Sequence, residues 1–178
     1  NITVPADHIL EATGDLLNRS EVFTAEQLKR YQLAEKTFDK PVIVVTQAEA
    51  EAAEKGFSDK KKTWKFKATN VRDFGISTSR KFIYDAMAVK LETRNSMAIS
   101  LYPKEGNPLW EQYSTRMVAH TLKSYSAHTF DYPYPKAISI NAEDQGMEYP
   151  MICWNYGRPD KNGVTSERTK NGMMSVIV

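Results

Sequence analysis

Cysteine is almost missing from this chain: Cys153 stands alone, which excludes an internal disulfide and any multi-cysteine zinc site. It lies in an apolar stretch, where a buried, inert thiol is the expectation. Long hydrophobic runs are missing too. No segment approaches the roughly 18 residues that a membrane span needs, and no basic stretch followed by an apolar one opens the chain as a secretion signal would. Excess charge of one sign is also lacking. A formal net charge of +2 gives no argument for nucleic acid or an acidic membrane surface. The one local run, Lys60-Lys61-Lys62, reads as a solvated turn.

Recognisable catalytic motifs are equally scarce. There is no Gly-x-Ser-x-Gly elbow and no phosphate-cradling glycine loop. The histidines are His8, His120 and His128. His120 and His128 fall on one side of an expected helix, eight residues and so ~12 Å apart along its axis. They cannot share one zinc, whose nitrogen ligands lie ~2.0–2.1 Å from the ion. Part-buried, hydrogen-bonded histidines are expected instead, and His8 has no evident partner.

What is present is ordinary for a globular protein: 178 residues, 41% hydrophobic and 26% charged, enough for one large domain or two small ones. Residues 1 to about 22 read as strand and turn, with Gly14-Asp15 as punctuation. Thr24-Ala25-Glu26-Gln27 and Thr46-Gln47-Ala48-Glu49 both fit a capping box, in which a hydroxyl and the side chain three residues on satisfy free amides. Two short helices follow from them, the second ending at Gly56, with Val42 to Val45 as a buried strand between. Then the period becomes two. Trp64, Phe66 and Ala68 alternate with Lys65, Lys67 and Thr69, and strands continue over Phe74 to Ser79, Phe82 to Leu91 and Ser96 to Tyr102. The turn Glu92 to Asn95 makes the last two a hairpin. This predicts an antiparallel, sandwich-like β part over residues 1–103, with a helical insertion at about 24–55.

Residues 104–178 read differently. Asn107 caps a helix whose first position is Pro108, and Trp110, Tyr113, Met117, Val118, Leu122 and Tyr125 recur at helical spacing to about Thr129. A strand over Ala137 to Asn141 comes next, followed by Gly146-Met147-Glu148-Tyr149-Pro150. Pro150 lacks an amide hydrogen, so this strand belongs at a sheet edge, where free backbone groups can pair with an extended peptide. Extended geometry puts Met147, Tyr149, Met151 and Cys153 on one side and Glu148, Ile152 and Trp154 on the other. Glu148 is then either a solvated surface carboxylate or a partner for the ammonium of such a peptide. After Trp154 a long polar loop runs to the apolar Met173 to Val178. The start at Asn1 without an initiator methionine, and the end on an apolar run, read as a piece of something longer. Such a cut would leave the face of Trp110 and Met117 open to self-association.

The stretch "SYSAHTFDYPYPKAISINAEDQGMEYPMICW" resembles the start of the catalytic domain in the gluzincin zinc aminopeptidases, the aminopeptidase N-like family. There a helix leads into a Tyr-Pro-x-Pro-Lys turn, a strand, and an edge strand bearing Gly-x-Met-Glu-Asn. Here Gly146, Met147 and Glu148 match, Tyr149 takes the asparagine position and Gln145 that of the usual first glycine; the GMEYP form resembles a bacterial branch. "TWKFKATNVRDFGISTSRKFIYDAM" and "ITVPADHILEATGDLLN" resemble strands of the family's N-terminal β domain, in the family's order. The resemblance implies an α+β fold: a sandwich-like part, then the beginning of a thermolysin-like domain. It implies a zinc metallopeptidase that removes N-terminal residues from peptides, with Gly146, Met147, Glu148 and Tyr149 as the substrate-binding strand and Glu148 on the free α-amino group. The family's zinc ligands, His-Glu-x-x-His and a distant glutamate, do not occur in this chain, and "MMSVIV" reads as the run into their helix. The piece alone is therefore expected to hold no zinc, contain no catalytic residue and be inactive. The alternative is a non-catalytic peptide-binding module on the same scaffold. Members of this bacterial type are often exported, which makes an extracytoplasmic location the expectation.

Overall fold

The computed structural model describes residues 1–143 and 146–177. Three short strands open the chain, β1 (Ile2–Pro5), β2 (Ile9–Ala12) and β3 (Asp15–Leu16), followed by helices α1 (Arg19–Val22) and α2 (Ala25–Ala34). Next come β4 (Val42–Val45), α3 (Gln47–Glu54), β5 (Lys61–Trp64), β6 (Phe66–Lys67), β7 (Ile76–Ser79), β8 (Ile83–Lys90) and β9 (Asn95–Tyr102). The long helix α4 (Leu109–His128) leads to β10 (Lys136–Asn141), β11 (Glu148–Tyr149), β12 (Ile152–Asn155) and α5 (Glu167–Ile177). The fold is α+β.

Local chemistry explains several boundaries. Thr24 and Thr46 both form complete capping boxes, with Gln27 and Glu49 returning the bond to the cap backbone. Helix α4 begins one residue later than its spacing predicts: Pro108 takes the cap position, and Asn107 Oδ1 accepts the Glu111 amide at 3.4 Å. The expected polar loop after Trp154 is shorter than its composition predicts. Ser166 Oγ accepts the Thr169 amide at 3.1 Å, and a helix starts there that carries Met173 into the core. Residues 19–22, expected as strand or turn, form the short helix α1. Lys61 and Lys62 are not a solvated turn but open β5; Lys62 Nζ donates to the Val22 carbonyl at 3.0 Å and lies 5.2 Å from the Trp64 ring centroid. The period-two reading of Trp64 and Phe66 holds for their faces. The ladder nonetheless breaks between them, because β5 pairs with β1 and β6 with β3.

Among the described residues, a six-stranded sheet is the centre, in the order β11-β12-β10-β9-β8-β4. Strands β9, β10 and β12 run parallel to their neighbours in that group, and the remaining pairs are antiparallel. The sheet draws strands from both sides of residue 103, and β4, between the two capped helices, is its other edge. Pairs β1–β5, β2–β7 and β3–β6 form separate two-stranded ladders.

Each face of the sheet has its own core. On one, Phe23, Tyr31, Trp64 and Tyr84 interlock, with Phe23 edge-on to Trp64 at 5.5 Å between centroids. On the other, α4 lays Leu109, Trp110, Val118 and Leu122 over Ile83, Met87, Val89 and Ala98. Trp110 is fully buried beneath α5, its indole N–H donating to the Gly157 carbonyl at 2.6 Å. Met117 is half-buried. The face proposed above for self-association is thus covered, at Trp110, by the chain's own last helix.

Candidate functional site

Strand β11 lies at the sheet edge, as Pro150 predicts, but it is one arm of a hairpin and not part of a straight strand. The chain reverses at Pro150-Met151, where Met151 adopts φ 69°, the left-handed conformation a tight turn needs at its second corner. Proline at the first corner suits that turn. The reversal regroups the side chains. Glu148 sits opposite Cys153, and Tyr149 opposite Ile152, so Glu148 shares the α4 face with Cys153 while Tyr149 joins Ile152 and Trp154. Tyr149 packs edge-on to Trp154 at 5.7 Å between centroids.

Backbone geometry matters as much. Trp154 N–H donates to the Met147 carbonyl at 3.3 Å, and Gly146 N–H to the Trp154 carbonyl at 3.1 Å. Alternation along an antiparallel ladder then makes Glu148–Cys153 a non-hydrogen-bonded pair. The amide and carbonyl of Glu148 therefore point off the sheet. Its carboxylate is exposed and has no ion-pair partner among the described residues. Gly146 and Met147 are exposed beside it, Met147 to 57%. Gln145 lies outside the described residues.

The hairpin is seated by residues far away in sequence. Thr13 Oγ1 donates to the Pro150 carbonyl at 2.9 Å, and the Gly14 amide meets Met151 Sδ at 3.2 Å. A Cβ added to Gly75 would come within 2.6 Å of Ile152 Cγ2 and 3.0 Å of Trp154, so only glycine lets that loop press on the hairpin. Nothing in the sequence marks these contacts beforehand.

Cys153 is half-buried, and burial first, with the Glu148 charge second among raising causes, pushes its thiol above the ordinary range. The thiol is half-buried and not fully buried as its apolar surroundings predict, and the raised position keeps it from ionising readily. It lines a cavity of about 580 Å³ on the α4 face, walled by Val118, Leu122, Tyr125, Phe130 and Tyr132. Tyr125 and Phe130 are 53% and 73% exposed at this end of α4.

The histidines do not converge. His120 and His128 are exposed on α4 and not part-buried, and His128 Nδ1 lies 2.7 Å from the Ser124 carbonyl. His8 Nδ1 finds a partner in Thr78 Oγ1 at 3.2 Å. Among the described residues no three His, Cys, Asp or Glu side chains are grouped to hold a metal ion. Side chains so dispersed do not fit zinc. Among the described residues, no helix is long and apolar enough to cross a membrane.

No family model matches the chain, and no curated protein matches it.

Proposed function

We propose that this chain is the substrate-amine-recognising part of a zinc aminopeptidase of the gluzincin type. In this reading β4, β8 and β9 join β10 to β12 in the sheet of a thermolysin-like domain, and the preceding ladders belong to a sandwich-like partner. One observation carries the reading: an exposed, uncompensated carboxylate on an edge strand whose own amide and carbonyl face outward. An extended peptide can hydrogen-bond to that backbone, and its terminal ammonium can meet the Glu148 carboxylate. Fixing the amine fixes which bond is presented, because ammonium and scissile carbonyl flank the same α-carbon. Zinc chemistry would come from ligands outside these 178 residues. If the resemblance holds, those ligands would lie on a helix that the stretch from Met173 leads into.

The source gene tests this directly. Codons after Val178 should encode His-Glu-x-x-His within a few residues; their absence would leave only the peptide-binding module. In the longer protein, Glu148→Gln should lower kcat/KM on free-amine substrates roughly ten- to a hundredfold. That range follows from ~1.5–3 kcal/mol for a charge-assisted bond, at ~1.4 kcal/mol per factor of ten. Cleavage of N-acetylated peptides should change much less, and zinc content not at all. Equal losses on both substrate types, or an emptied zinc site, would make Glu148 a structural or metal-supporting residue instead.

A further inference from the structure

Asp85 occupies the middle of β8 with 1% of its surface exposed, on the face covered by α4. Its carboxyl is held entirely by hydroxyls. Tyr102 of β9 donates to Oδ2 at 2.6 Å, and Thr115 of α4 hydrogen-bonds to Oδ1. Thr115 Oγ1 is also 2.7 Å from Ser100 Oγ, which lies 2.8 Å from Ser114 Oγ, and all of these residues are buried. The cluster therefore ties β8, β9 and α4 together without a buried cation.

Such a chain of hydroxyls can run in either direction. With Asp85 ionised, Ser114 donates to Ser100, Ser100 to Thr115, and Thr115 to the carboxylate. With Asp85 neutral, its own O–H donates to Thr115 and the order reverses. Hydroxyl rotation satisfies both states, but only the neutral one avoids an uncompensated charge in the core.

We propose that Asp85 is a proton-operated clamp: neutral, it holds α4 on the sheet, and loss of its proton loosens that helix. The surroundings agree. Burial pushes this carboxyl up to about 7, against the pull of its two hydroxyl donors. The charged groups of α4 that act on it, Glu111 and Arg116, oppose one another. On its flanks, β9 presents Tyr102, and β4 carries no titratable side chain. Helix α3 also packs on β8, but its Glu49, Glu51 and Glu54 are engaged by Arg30, Gln47 and Lys104. Helix α2 meets the strand on the opposite face through Tyr31. An acid raised by folding keeps its proton in the native state while the unfolded chain has lost it. Its contribution is therefore full at low pH and is lost between about 4 and about 7.

Hydrogen exchange on the whole chain at pH 5.5 and pH 8.5, corrected for intrinsic rates, tests the clamp. Protection of α4 amides should fall more than tenfold with rising pH, and by more than in the β2–β7 ladder. Asp85→Asn should abolish this difference, since its amide can donate to Thr115 and accept from Tyr102 as the neutral acid does. An infrared band of a protonated carboxyl, missing in Asp85→Asn, should titrate near neutrality. Should that variant fail to fold, Thr115→Val removes a donor that favours the ionised form, and the band's midpoint should rise. A wild-type response equal to that of Asp85→Asn, or no such band at pH 5.5, would overturn the proposal.

Discussion

Replacing Lys136 by methionine should be among the most damaging single changes to this chain. Lys136 Nζ lies 2.5 Å from Glu11 Oε2, and the two side chains are 5% and 2% exposed. Tyr84 donates to the other oxygen of Glu11 at 2.8 Å, and the ammonium also lies 5.0 Å from the Phe66 ring centroid. The pair thus joins β2, β6, β8 and β10. Lys136→Met keeps most of the apolar stem but leaves Glu11 a buried carboxylate without its ion pair, hydrogen-bonded by a phenol and the Ala12 amide and with the Arg19 charge as its remaining electrostatic partner. Breaking a buried pair from one side costs about 3–5 kcal/mol, or about two to three and a half orders of magnitude in the folding equilibrium. Removing both charges is a different perturbation. Glu11→Leu with Lys136→Met should recover most of the loss, less about 1–3 kcal/mol for the stranded Tyr84 hydroxyl. Adding Tyr84→Phe should return that remainder. Urea denaturation at pH 7, followed by tryptophan fluorescence, gives each value. A cost below about 1 kcal/mol for Lys136→Met, or a double variant as unstable as the summed single changes, would refute the argument.

Four further expectations are simpler to check. Thr46→Ala removes the hydroxyl that accepts the Glu49 amide, one half of a capping box, and should cost about 0.5–2 kcal/mol in urea unfolding. Gly75→Ala should cost about 1–3 kcal/mol by overpacking against Ile152 and Trp154, with a shifted Trp154 emission. Trp110→Phe loses the bond to the Gly157 carbonyl and should make the segment around α5 more sensitive to limited proteolysis. After dialysis the chain should carry far less than one zinc; stoichiometric zinc lost in His120→Ala or His128→Ala would contradict the reading of those side chains.

Features decided within a few residues were legible in the sequence. The capping boxes at Thr24 and Thr46, the α4 stripe and the edge position of Glu148 all follow from local spacing. The partition of strands among ladders was not, because Trp64 and Phe66 carry one pattern but meet different partners. The facing of Glu148 was misread for a related reason. A proline in a short apolar run fits a straight edge strand and a turn equally well, and the left-handed Met151 reveals itself only once its thioether is seated beside Gly14. Asp85 and Glu11 do carry a signal in the sequence. Each is a single acid inside an otherwise apolar strand, "FIYDAMAV" and "HILEATG", where a solvated side chain has no room.

The seating of the β11–β12 hairpin bears on how such a chain can be divided or recombined. Thr13, Gly14 and Gly75 hold it from the N-terminal segments, while its hydrogen-bonded neighbour is β10. A chimera joined at residue 103 would bring in a foreign loop and lose the buttress under Pro150 and Met151, whatever the match of its own strands. Position 148 would survive such a swap in name and shift in space. Exchange between homologues should therefore succeed only when the segment around residues 13 and 75 travels with the hairpin. The two regions would then co-vary as one heritable unit although Thr13 and Pro150 are 137 positions apart.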